Sequence, residues 1–243
     1  MKKFATVALT LAMAATAACA SATTVGICQL VQHVALDAAT QGFKDALTEK
    51  MPDVKFDEQN AAGDAATCVT ITSKFAADGV DLILANATSP LQAAVSATGD
   101  IPILGTSITD YATALGMKEW DGTTGINVSG TSDLAPLDGQ AAMIQELFPD
   151  AKNIGLVYCS AEANSVYQVT TIKGYLEEMG YTCTEFAFTD SNDVASVTQT
   201  AADASDVIYI PTDNTAAAYT ETIANVVIPA KVPVVAGEEG ICK

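Results

Sequence analysis

Asp81-Leu82-Ile83-Leu84-Ala85, followed by the polar cluster Asn86 to Ser89 and then by Pro90 and the segment Leu91 to Ala97, holds the unit from which this chain is built. A short apolar run bounded by small polar residues reads as a buried strand. Ser89 at a cap position and Pro90 in the first turn then open a helix. Moving outward, the unit recurs. The first half holds three more apolar runs, Val25-Gly26-Ile27-Cys28, Val54-Lys55-Phe56 and Ile101-Pro102-Ile103-Leu104. The second half repeats the series with Ile154-Gly155-Leu156-Val157-Tyr158, Cys183-Thr184-Glu185-Phe186, Asp206-Val207-Ile208-Tyr209-Ile210 and Val232-Pro233-Val234-Val235. Most runs end in a small polar cluster, such as Gln29 to Asp37, Ser160 to Ser165 or Thr212 to Thr215. Strands alternating with helices predict an α/β fold of parallel sheets covered by helices. Written twice, the pattern predicts two lobes. Ligands of such sheets bind outside the carboxyl ends of the strands, where the polar clusters lie, so two facing lobes enclose a cleft.

Charge narrows the partners. The formal net charge is −18, and all eleven basic residues are lysines. Nucleic acid and anionic membrane surfaces are therefore excluded as partners. Without arginine, a ligand carboxylate has no guanidinium fork to meet it and must rely on helix N-terminal amides, hydroxyls or a lysine. One histidine and six cysteines without a C-x-x-C pair predict no metal site, and no cofactor motif is present. Cys159 closes one strand and Cys183 opens the next, an offset on the order of 10 Å in a parallel pair, so the cysteines are expected as buried free thiols.

The N-terminus reads as a secretory signal over residues 1–22: Met1-Lys2-Lys3 is charged, Phe4 to Ala18 is apolar, and small residues follow. Cleavage after an A-x-A pattern is one reading. Lipid anchoring at Cys19, after Thr16-Ala17-Ala18, is the other, and it would be the chain's only attachment to a membrane. Either way, the protein is expected to be exported, to the periplasm or the outer face of the cell membrane.

Within the lobes, helices are expected over Gln41 to Glu49, Ala65 to Ala77, Val166 to Met179, Val194 to Asp203 and Ala216 to Val227. Ile126 to Thr131 is a short strand, and Ser132 to Pro136 lead into a helix from Leu137 to Phe148. That segment is the crossing from a first lobe (23–131) to a second (132–243). It carries no low-complexity linker and reads as a hinge. The second lobe is expected to be incomplete, because no helix follows Ala236-Gly237-Glu238-Glu239-Gly240 to cover the last strand.

Six ordered motifs carry a resemblance: Gln29 to Asp37, Asn60 to Asp64, Asn86 to Pro90, Gly130 to Asp133, Ser160 to Ser165 and Pro211 to Asn214. Together they resemble the ABC-transporter substrate-binding proteins of the tryptophan/aromatic amino-acid type. The resemblance implies two Rossmann-like lobes joined by a hinge in the type I periplasmic-binding style, C-terminally truncated here. It also implies capture of a small ligand, an amino acid, and delivery to a membrane permease.

The candidate ligand contacts are the polar residues at the strand ends. Thr88 and Ser89 lead, where hydroxyls and free helix amides can hold a carboxylate. Thr109 and Asp110 end the fourth strand, and Gln29 and His33 follow the first. In the second lobe Glu162, Asn164 and Ser165 precede one helix, Asp213 and Asn214 precede another, and Glu238 follows the last strand. Asp110 and Glu238 are natural partners for an ammonium group. Each residue has an alternative as a cap or turn former. Two other functions fit parts of the pattern. A sensory module would use the same fold but add a membrane span and an output domain. A two-cysteine racemase would need matched cysteines, yet aligning Gly26 with Gly155 sets Cys28 against Val157.

Overall fold

The computed structural model describes residues 22–242; nearly all of the expected signal (residues 1–21), with Cys19, lies outside that range. The first sheet comprises β1 (Thr24–Gln29), β2 (Lys55–Asn60), β3 (Leu82–Asn86), β4 (Ile103–Ile108) and β5 (Val128–Ser132), in the order β2-β1-β3-β4-β5. The second comprises β6 (Asn153–Cys159), β7 (Thr182–Phe188), β8 (Val207–Ile210) and β9 (Val234–Ala236), in the order β7-β6-β8-β9. Every pairing is parallel. The first four strands of each sheet are thus wound alike, as the doubled sequence pattern predicts. In each the order reverses beside the first strand, between β1 and β3 and between β6 and β8, which is where such sheets open a crevice at their carboxyl ends.

The helices cover both sheets. The first set is α1 (Val34–Lys50), α2 (Ala65–Asp78), α3 (Thr88–Ala97) and the short α4 (Tyr111–Ala114). Then follow α5 (Leu137–Leu147), α6 (Ala163–Glu178), α7 (Val194–Ala204), α8 (Asn214–Ala218), α9 (Thr220–Ala230) and a closing 3-10 turn (Glu239–Cys242). Among the described residues no helix is long and apolar enough to cross a membrane. Each sheet buries apolar side chains against its helices: Phe75, Ile83 and Leu91 in the first lobe, Leu156, Ile172 and Leu176 in the second. Gly26 is required by this packing. A Cβ there would lie 2.6 Å from the ring of fully buried Phe75 on α2.

The foot of each sheet is pinned by one carboxylate. Asp81, just before β3, accepts a hydrogen bond from Thr24 N at 2.7 Å. Asp206, just before β8, accepts from Lys152 N and Asn153 N, both at 2.8 Å. These backbone hydrogen bonds hold the Asp206 carboxyl below the usual aspartate range.

Several boundaries depart from the sequence reading. α1 begins at Val34 rather than Gln41, because Leu36 and Thr40 turn inward and make the first two turns part of the core. Ser89 is not a cap. Ala87 precedes α3, Thr88 and Ser89 are its first helical residues, and Pro90 is third, where a missing N–H costs nothing. The helix expected over Ala216 to Val227 is two, broken at Tyr219. Cys159 pairs in register with Phe188 and Cys183 with Ile154, so the two stay apart as free thiols. Cys183 is only half-buried and Cys242 is exposed, unlike the buried thiols expected.

Candidate ligand-binding cleft

Residues that follow β1, β3, β6 and β8 converge between the lobes around two hollows. The larger, about 350 Å³, is walled by Leu30, Val31 and Ser89 from the first lobe and by Ala161, Asp190 and Tyr219 from the second. The smaller, about 90 Å³, is lined by His33, Thr109, Asp133, Asn164, Asp213 and Glu238, among others. The same two segments, Leu30 to His33 and Asp213 to Thr215, border both.

The second-lobe wall is a set of buried acids and amides that hold one another. Glu162 stands at the start of α6, yet its carboxylate serves α8. Oε1 accepts from Thr215 N and Thr215 Oγ1, both at 2.8 Å. Oε2 accepts from Asn214 N at 3.1 Å, Asn214 Nδ2 at 2.6 Å and Asn164 Nδ2 at 3.2 Å. Asp213 caps the same helix from the other side, accepting from Ala216 N at 2.8 Å and from Cys159 N at 2.7 Å. Ser165 donates to it as well. Full burial pushes Asp213 up to about 7, and the neighbouring Glu162 charge adds to the rise. Gln168, one turn beyond Asn164, clamps Thr212: its Oε1 accepts from Thr212 N at 3.1 Å and its Nε2 donates to Thr212 O at 2.9 Å. Sequence reading missed Gln168, although its spacing from Asn164 and Ser165 puts all three on one helix face.

Two acceptors lining the smaller hollow are left over. Asn164 Nδ2 is spent on Glu162, Ser165 and Thr212, which leaves buried Oδ1 with no partner among the described residues. Glu238 Oε2 accepts from Gly240 N at 2.7 Å, while buried Oε1 likewise has none. Uncompensated buried acceptors are costly, so a donor entering this hollow would be well received. Asp133 also lines this hollow; in the sequence it closes the Gly130 to Asp133 motif but was not chosen as a contact, although it follows β5 as the other candidates follow their strands. Dehydration raises its carboxyl above the usual aspartate range, against a lowering hydrogen bond from Thr109.

The first-lobe wall is less charged. Thr88 and Ser89 are buried, and neither hydroxyl has a hydrogen bond among the described residues. They stand on the first turn of α3, whose leading amides have no intrahelical partner. Ala87 before them has φ 100 and ψ 167, a conformation otherwise reserved for glycine and characteristic of over-determined backbone at functional sites. Four candidates, Thr88, Ser165, Gln29 and Asp110, line neither hollow. Gln29 is consumed by the scaffold, donating to Val31 O and Asp37 Oδ1 and accepting from Thr40 Oγ1. Asp110 caps α4 through Thr113 N at 2.7 Å and lines neither hollow. Cys28 also lines neither hollow; its thiol contacts that of Cys68, which together with burial pushes Cys28 far up. The matched cysteine pair of a racemase is therefore not assembled around the cleft.

Comparison with known proteins matches residues 24–243 to the family described as ABC transporter substrate binding protein. A "Tyrosine-binding protein" of Clostridioides difficile is 39% identical over 220 residues, which is 89% of this chain; the chain spans 64% of that curated relative's length. Among solved structures, an ABC domain from Streptococcus pneumoniae in complex with L-Trp is 34% identical, with a TM-score of 0.86 over 91% of this chain and 76% of that one. A ligand-free, open substrate-binding protein from Clostridium difficile is 39% identical, with 90% and 75% coverage, but its TM-score is 0.60. The overall arrangement here is thus closer to the tryptophan complex than to the open form, although sequence identity runs the other way.

Proposed function

The chain belongs to the ABC transporter substrate-binding proteins, and from that premise we propose that it captures an aromatic amino acid between its lobes for delivery to an ABC permease. The observation that carries the reading is the charge of the cleft. Every charged side chain on either hollow is a carboxylate (Asp64, Glu162 and Asp190 on the larger, Asp133, Asp213 and Glu238 on the smaller), with His33 the one other titratable base and no lysine present. A free carboxylic acid would be repelled there, whereas an ammonium group is drawn in and hydrogen-bonded by the leftover acceptors of Asn164 and Glu238. The ligand's own carboxylate goes to the hydroxyl of Ser89, which borders the larger hollow, and to the leading amides of α3, the arrangement open to a chain without arginine.

The side chain occupies the larger hollow, whose volume falls within the range of small-molecule sites. Leu30, Val31 and Tyr219 give it apolar walls. The tryptophan-bound and tyrosine-binding relatives support an aromatic side chain. The role is capture rather than catalysis, and it is performed outside the cytoplasm after export by the leader, with Cys19 the candidate for a lipid anchor.

Isothermal titration of the mature protein with the twenty amino acids tests the assignment. One-to-one binding is expected for tryptophan, tyrosine or phenylalanine, weakened by Ser89→Ala. Folded protein that binds no amino acid would refute it.

A further inference from the structure

Across the cleft, His33 Nε2 lies 3.3 Å from Asn214 Oδ1. Among the described residues this is the one hydrogen bond between the elements of the first sheet (22–132) and those of the second (137–242). The donor's identity follows from its surroundings. Asn214 Nδ2 donates to Glu162 at 2.6 Å, so the amide presents its oxygen to the ring, and Nε2 must carry the hydrogen. Glu162 cannot release that amide, because its two oxygens also hold Asn214 N and Thr215 N at the start of α8. The result is a chain of three side chains from three elements, the approach to α1, the N-terminus of α8 and the N-terminus of α6. Its first link spans the lobes, and its other links lie inside one of them. It also runs beside both hollows, since His33 and Asn214 line the smaller while Glu162 and Thr215 line the larger.

We propose that His33 is a latch: its hydrogen bond to the Glu162-oriented Asn214 amide holds the lobes together and sets how long they stay closed. His33 acts through Asn214 as a positioning residue. If the lobes part, the interlobe link breaks whole, while the links inside the second lobe persist and keep Asn214 ready for the next closure. A single hydrogen bond of this kind shifts an equilibrium by roughly two- to tenfold.

Two variants test the latch: His33→Ala, which removes the donor, and His33→Gln, which returns an N–H at similar reach. Small-angle scattering without ligand reads the open-to-closed ratio directly. His33→Ala should raise that ratio two- to tenfold, seen as a larger radius of gyration, and His33→Gln should recover part of it, with both unfolding midpoints unchanged. Stopped-flow dissociation of L-tryptophan and L-tyrosine should be faster in His33→Ala by a similar factor and partly restored in His33→Gln. The dissociation arm rests on the ligand reading above, whereas the scattering arm does not. If the wild-type chain binds neither probe, that reading fails while scattering still decides the latch. Identical scattering from wild type and His33→Ala overturns it, as does an expansion that His33→Gln leaves unchanged.

Discussion

Replacing Glu162 with glutamine tests whether one carboxylate organises the second-lobe wall. Its two oxygens accept five hydrogen bonds from Thr215, Asn214 and Asn164. A glutamine amide keeps the shape but turns one acceptor into a donor. The least damaging orientation points the new NH2 at Thr215, whose hydroxyl can rotate to accept while its backbone N–H is left buried and unpaired. Hydrogen bonds to charged groups contribute about 1.5–3 kcal/mol, and an unsatisfied buried donor costs about 1–3 kcal/mol. One partner is lost outright and the others lose their charge assistance, so about 3 kcal/mol is expected, reduced somewhat by relief of the repulsion with Asp213. For a chain of this size that lowers the unfolding midpoint by roughly 6–12 °C. Thermal unfolding followed by circular dichroism reads it. A second readout is specific to the pairing: with its negative neighbour gone, Asp213 should titrate lower. A midpoint within about 1 °C of wild type would refute the reasoning, showing that α8 holds its place without the carboxylate.

Asp213 itself makes a pH prediction. Its folded pKa, about 7, is raised from the ordinary 3.8, so the stability it contributes is full below the ordinary value and is lost as pH rises through about 7. An ammonium bound beside it should draw the proton off near neutral pH, giving a binding heat that differs between Tris and phosphate; equal heats would sink this. Gly26→Ala should cost about 2 kcal/mol by forcing a methyl onto the Phe75 ring. In that background Phe75→Leu should cost less than it does alone, and strict additivity in urea unfolding would show that the two do not clash.

The alternation of strands and helices was legible because buried parallel strands leave unmixed apolar runs. Boundaries failed where that contrast fades. β2 is an edge strand whose residues Lys55–Asn60 are largely polar, so only its first half announced itself. The start of α1 reads as part of the loop after β1, because its small residues give a weak helical period: only Leu36 and Thr40 are buried in the whole helix, and Val34 is exposed. In the candidate cleft, topology pointed to the strand ends, and several of those residues, such as Ser89, His33 and Glu162, border the hollows while Gln29 and Asp110 do not. The commitments of the side chains were not legible. Gln29 is consumed by a residue 11 positions away and Glu162 by one 53 positions away, pairings that no local pattern encodes. Asp133 closes one of the six motifs but was not chosen as a contact, because a lone carboxylate after a short, exposed strand looks like any turn residue.

The carboxylates of Asp81 and Asp206 tie the amino-terminal rims of the two sheets, at the opposite ends of the strands from the cleft. The part of each half that secures its architecture is therefore physically remote from the candidate cleft. Substitutions among the loops at the carboxyl ends leave untouched the hydrogen bonds that tie β1 to β3 and β6 to β8 at the other end. Because both halves share this separation, either can drift without the other having to follow. A chain built this way can change the lining of its cleft without relearning how to fold.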